Sequence, residues 1–278
     1  MACLLLFAGL GQAGCTSLLV QSAVAPAVDK LQYQSDLELV CEGAPAYLLM
    51  LDSLLVKEPG SQGLLMAATQ GYSAYAAVME ECGRPERSVA LAEKARGYGA
   101  ALLSALGPDL AVTAPEDSFV RALAALDHGA APQLFWGGYG LAVWVKYQAG
   151  SPAALALLPR LELLMQRVVA LDPGLFHGAA HAFLGTYYGA RPQMVGGNPV
   201  KSRQHFEQSL ALSGRDFLLT QVAYAETYAR QTFDRELYEK LLREVVDYPL
   251  AQRPELTLSN TLAQRRARRL LEQTERIF

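Results

Sequence analysis

Isoleucine is almost missing from this sequence. It occurs once, at Ile277, beside 18 valines and 10 threonines, whereas leucine and alanine number 47 and 43. Strands favour β-branched residues and helices favour Ala and Leu. An all-β fold is therefore excluded, a parallel-sheet α/β fold is disfavoured, and an all-α protein is expected. Charge is sparse and nearly balanced, 24 Lys and Arg against 27 Asp and Glu, for a net −3. That argues against a nucleic-acid binder that works by neutralising phosphates. Histidine and cysteine are few, four of each, which restricts metal and thiol chemistry. Beyond the N-terminus, no continuous apolar run reaches the roughly 18 residues of a spanning helix. What the chain does have is 51% hydrophobic residues in 278, too many for a disordered segment and enough for a large core.

Residues 4–10 form a short apolar run followed by Gly-Gln-Ala-Gly-Cys at 11–15. It suits the h-region of an export signal. Ending on Ala13-Gly14-Cys15, it resembles a bacterial lipobox, which makes residues 1–14 a signal segment and Cys15 the lipid attachment point. Gln12 departs from the lipobox pattern, and no Lys or Arg precedes the run. Residues 15–33 read as a tether and 34–278 as a single helical domain. Thr16, rather than Asp, follows Cys15, which favours the outer membrane for the anchor. Gly9 to Gly14 matches GxGxxG literally but follows no strand and opens no βαβ unit, so it is no dinucleotide site. Cys41 and Cys82 are expected to be two buried thiols behaving as small hydrophobes, although an export compartment permits a disulfide.

Gly and Pro punctuate the chain from Pro59-Gly60 to Pro249 and Pro254. The segments between them carry helical periodicity, giving about a dozen helices. Leu184-Gly185, Tyr188, Ser202, Phe206 and Ser209 keep part of the tetratricopeptide spacing, in which small residues mark a close helix crossing. The expected architecture is thus one compact, solenoid-like unit of degenerate tetratricopeptide-like hairpins. Residues 44–56 predict a helix with Pro45 near its first position. It is apolar all round, so burial on all sides is expected. Asp52 interrupts it and requires an Arg, His or Tyr partner.

His177 and His181 stand one helical turn apart, a spacing that places both imidazoles on one face. Gly178 occupies the position where a zincin needs Glu, so that metalloprotease class is excluded and no metal site is expected. There is no GxSxG elbow and no phosphate-binding loop. Arg265, Arg266, Arg268 and Arg269 read as a solvated face near a helix C-terminus. The remaining signal is aromatic: Tyr47, Tyr72, Tyr75, Phe135, Trp136, Trp144, Phe183, Tyr187, Tyr188, Tyr224 and Tyr228 lie among small residues. Such residues either line a small-molecule cavity or fill helix–helix gaps.

In order along the chain stand Gly43-Ala-Pro-Ala-Tyr-Leu-Leu-Met-Leu-Asp-Ser53, Tyr72-Ser-Ala-Tyr-Ala76, Leu134-Phe-Trp136, Gly178-Ala-Ala-His181 with Phe183-Leu-Gly185, Gly196-Gly197, His205-Phe-Glu207, Tyr228-Ala-Arg230 and Asn260 with Gln264. From about Cys15 onward, the chain resembles the T-component of tripartite ATP-independent periplasmic (TRAP) transporters, the TatT-like lipoproteins. The resemblance implies a periplasmic, lipid-anchored, non-enzymatic protein without cofactors. It also implies a homo-oligomer, a trimer being suggested, that associates with a TRAP solute-binding protein and carries a largely apolar cavity for a small organic solute. Carried onto matched positions, the cavity lining would include His181, Tyr187 and Trp136, with Asp52, Tyr72 and Tyr75 as further candidates. The alternative is a generic tetratricopeptide-like scaffold for envelope protein interactions, with no small ligand. A metal-dependent enzyme built on His177 and His181 ranks last.

Overall fold

The computed structural model describes residues 30–148 and 150–278. The signal segment, Cys15 and most of the tether lie outside the described residues. Within them the helices run α1 Leu37–Lys57, α2 Gln62–Val78, α3 Ser88–Leu106, α4 Glu116–Ala125, α5 Ala131–Tyr147, α6 Pro152–Leu171, α7 Leu175–Gly189, α8 Pro199–Leu212, α9 Leu219–Tyr224, α10 Arg235–Asp247, α11 Thr257–Glu272 and α12 Thr274–Ile277. A π-helical turn, Ala225–Ala229, continues α9. No strand occurs among the described residues, as the composition requires. Local signals set several starts. Asp36, Ser151, Asn198 and Asp234 each cap a helix by accepting a backbone N–H in its first turn.

Three apolar cores organise these helices. The first joins α1, α2, α3 and the far end of α5 through residues such as Leu51, Leu64, Ala92, Leu102 and Val143. The second joins α4 to α7 around Phe119, Leu134, Leu164, Val168 and Leu184. The third gathers α8 to α11 around Phe206, Tyr238, Leu242, Ala263 and Ala267. Helix α5 is central, packing on α2, α3, α6 and α7, whereas α11 packs chiefly on α9 and α10.

Close crossings fall where small residues permit them. A Cβ on Gly99 would lie 2.7 Å from the Gly137 carbonyl oxygen, and one on Gly140 would lie 2.6 Å from the Ala95 carbonyl oxygen. Backbone meets backbone at this α3–α5 seam, so only glycine fits. Helices α7 and α8 cross in the same manner. Phe206 presses its ring on Gly185, and the Ser202 hydroxyl donates to the Gly185 carbonyl at 2.7 Å. The small residues singled out by spacing are thus the ones at a crossing.

Helix α1 corrects two expectations. It starts at Leu37, not near residue 44, so Pro45 is an interior proline. Proline cannot donate to the carbonyl four residues earlier, which is that of Cys41. The Tyr75 hydroxyl donates to that carbonyl instead, at 2.8 Å. Nor is α1 buried all round. Leu48, Leu51 and Leu55 face the core, but Leu49 and Val56 are 64% and 83% exposed. Among the described residues, α1 alone is long and apolar enough to cross a membrane. The third correction is covalent. Cys41 and Cys82 form a disulfide with Cα atoms 5.7 Å apart, not two thiols. Forty-one residues separate them in sequence, and the folding of α2 against α1 brings them together.

Candidate functional site

The six residues proposed from sequence fall into three groups. Asp52 lies in the first, where α1, α2 and α3 meet. Its carboxylate accepts from Tyr72 at 2.8 Å, Tyr98 at 2.5 Å and Lys94 at 2.9 Å. Burial opposes its ionisation, but the hydrogen bonds from Tyr98, Lys94 and Tyr72 outweigh that and hold its pKa below the ordinary carboxylate value. The required Tyr partner is therefore present, in duplicate, with Lys94 in addition. Every one of these contacts ties one helix to another. Tyr75, engaged with the Cys41 carbonyl and 3% exposed, is likewise committed to packing.

His181 and Tyr187 lie in the third group, between α6, α7 and α8. Glu162 of α6 accepts from the hydroxyls of Tyr187, at 2.9 Å, and Tyr188. His181 Nδ1 stands 2.9 Å from His205 Nδ1, so one ring donates while the other accepts. Tyr188 stacks on His205 with ring centroids 5.7 Å apart, and the Arg191 guanidinium lies 4.0 Å over the Tyr187 ring. Burial pushes both histidines toward the neutral form. For His205, burial with the neighbouring His181 and Lys201 lowers the pKa to about 4.

The expected His177–His181 face does not form. Phe176, His177 and Gly178 all adopt left-handed backbone angles, with φ of 48°, 63° and 74°. Only after this turn does α7 run as a regular helix. His177 therefore points away from His181 and stacks on Phe217 at 5.3 Å. A left-handed conformation is costly for Phe and His, and the sequence gives no local sign of it. Among the described residues, no group of three or more His, Cys, Asp or Glu gathers to hold a metal.

Trp136 forms the middle group and is the one candidate that touches two cores. Its ring packs against Phe135, Tyr139 and Phe176, with centroids 5.2 to 5.6 Å apart. Phe176, carried by the strained turn, is 38% exposed over this cluster. Trp136 and Tyr139 sit on one face of α5, followed by Val143 and Lys146. Leu262 of α11 also packs against the first core.

The basic run is solvated only in part: Arg265 and Arg268 are exposed, whereas Arg266 and Arg269 are paired. Arg266 is bound to Glu226 at 2.7 Å, and Arg269 to Glu81 at 2.8 Å and Glu80 at 3.3 Å. These two guanidiniums clamp α11 to the π-helical turn and to the end of α2. A separate cleft of about 280 Å³ opens between α8, α9 and α10, lined by Glu207, Leu210, Arg215, Tyr224 and Lys240 among others. None of the six candidates lines it. Lys94, Tyr98, Tyr139, Glu162 and His205 were not proposed as site residues from sequence, because their partners are distant along the chain. Only their occurrence on apolar helix faces marked them.

The family model described as the TRAP transporter T-component (TAtT) matches residues 33–278. The chain belongs to the TRAP transporter T-component family. The match spans all three cores and every group above. It gives this T-component an accessory, envelope-associated role in a TRAP transporter rather than membership of a known enzyme family. A search of curated proteins found no match.

Proposed function

We infer that this T-component is a periplasmic protein, anchored through lipid on Cys15, that binds a small apolar or carboxylate-bearing solute and associates with the solute-binding protein of its transporter. The observation that carries this reading is the family match over the whole helical unit. The partly exposed aromatic cluster of Trp136, Tyr139 and Phe176 supports a solute-binding role, since aromatic side chains with few polar tips suit small organic ligands. Trp136 is the lining residue this cluster favours most. His181 and Tyr187, in their separate group on α7, are further lining candidates, while Asp52, Tyr72 and Tyr75 serve chiefly to hold α1 to α2 and α3. The outer membrane is the favoured site of the anchor. The exposed apolar side of α1 offers a surface for self-association into a homo-oligomer, a trimer in the family's pattern.

The test is a gentle pull-down of the tagged, natively lipidated protein from its own envelope, with protein and small-molecule mass spectrometry on one eluate. A TRAP solute-binding protein together with a co-eluting small molecule is expected. Recovery of envelope-assembly proteins alone, with no small molecule, would replace this reading with the generic scaffold.

A further inference from the structure

Four non-glycine residues among those described have positive φ, and two of them, Phe176 and His177, are adjacent, at 48° and 63°. Gly178 follows at 74°. A Cβ makes each left-handed residue costly, and such strain persists only where the surroundings hold it in place. Both ends of this turn are fixed. The Gly174 N–H donates to Asp172 Oδ1 at 3.1 Å. At the other end Gly178 sits against α8, where an added Cβ would come 3.2 Å from Ser209 Cα and 3.3 Å from Leu212 Cβ. The freedom that remains lies in Phe176 and His177.

Their rings offset the backbone cost. Phe176 packs on Phe135 and Trp136, with centroids 5.3 and 5.5 Å away. His177 stacks on Phe217, in the connection between α8 and α9, at 5.3 Å and nearly parallel. An aromatic stack and the cost of one left-handed residue are of the same order, so the margin holding the turn is small. Phe176 is also the outermost ring of its cluster. It is exposed, whereas Trp136 and Tyr139 are partly buried and Phe135 is sealed. A molecule approaching Trp136 past this turn meets Phe176 first.

We propose that the turn at 175–178 is a two-state cover over Trp136. In the left-handed form Phe176 covers the indole. Conversion of Phe176 and His177 to right-handed helix adds a regular first turn to α7, withdraws both rings and opens the indole to solute. The device rests on the solute-binding reading above and supplies its entry step. The two rings move together because their residues are adjacent and share the turn. Phe217 therefore bears on Trp136 through His177, although the rings packed on Trp136 are Phe135, Tyr139 and Phe176. In the open form His177 shares a face with His181, one helical turn on.

Acrylamide quenching of Trp136 fluorescence reads the cover without any ligand. The chain has two tryptophans, so Trp144→Phe leaves Trp136 as the one reporter. In that background Phe176→Ala removes the cover and should raise the quenching constant about twofold or more. Phe217→Ala leaves the cover in place and removes the support of His177, and should raise the constant about 1.5-fold. Far-UV circular dichroism checks folding, and Phe217→Leu, which keeps most of the volume but not the stack, replaces Phe217→Ala if that variant fails the check. In the reciprocal Trp136→Phe background, the same substitutions should leave the quenching of Trp144 unchanged. A rise with Phe176→Ala alone would make Phe176 a fixed wall and overturn the switch. Equal rises at both indoles would mean general loosening and would overturn it as well. No rise with either substitution would overturn the cover itself. The solute-binding reading is decided separately, by the envelope pull-down.

Discussion

Tyr75→Phe tests whether an aromatic proposed for ligand contact is instead repairing a helix. Pro45 leaves the Cys41 carbonyl without its normal main-chain donor, and Tyr75 donates to it at 2.8 Å in a buried setting. Removing the hydroxyl strands a buried acceptor, which costs about 2 kcal/mol: the net hydrogen bond of roughly 1 kcal/mol and part of the desolvation penalty. Pro45→Ala returns an N–H at the correct helical position. In that background the Cys41 carbonyl has a second donor, so Tyr75→Phe should cost only about 0.5 kcal/mol. The two substitutions should therefore couple by about 1.5 kcal/mol, well above the roughly 0.5 kcal/mol scatter of independent sites. Urea unfolding of the four proteins, followed by far-UV circular dichroism with the disulfide intact, measures the cycle. Additive effects would refute the repair argument. A loss of solute binding in Tyr75→Phe without a loss of stability would return Tyr75 to the ligand site.

Reduction of the Cys41–Cys82 bond, which joins residues 41 positions apart, should lower stability by about 4 kcal/mol on the loop-entropy relation. Urea midpoints with and without reductant, or of a Cys41→Ser and Cys82→Ser double variant, give the value, and a change below about 1 kcal/mol would contradict it. Gly99→Ala should destabilise by about 2–3 kcal/mol, because its Cβ would meet the Gly137 carbonyl oxygen at 2.7 Å and backbone cannot yield as a side chain does. An unchanged thermal midpoint would show that the α3–α5 seam is looser than this. The His181–His205 pair sets an acid limit. Folding holds the His205 pKa at about 4, so the unfolded chain takes up its proton first, beginning near its ordinary value of about 6.5. The contribution is complete above that value and is lost as pH falls from about 6.5 through 4, on the order of 2–3 kcal/mol. His205→Gln should flatten that part of the stability–pH curve, and an unaltered slope would count against the pairing.

The amino-acid sequence alone determined that this protein is helical, roughly where its helices lie, and which small residues mark helix crossings. Those properties are local: Ala and Leu content, caps such as Asp234, breakers such as Pro249, and the spacing of Ser202 and Phe206. The ordered landmarks also sufficed to indicate the family. What the tertiary structure decided was who meets whom. Asp52 and Tyr98 are 46 positions apart, and Arg269 and Glu81 are 188 apart. Pro45 looked like a helix start because its cost inside a helix is visible locally, while its remedy, the Tyr75 hydroxyl, lies on another helix. His177 and His181 looked paired because spacing assumes an unbroken helix, and packing of Phe176 and Phe217 sustains the left-handed turn that separates them.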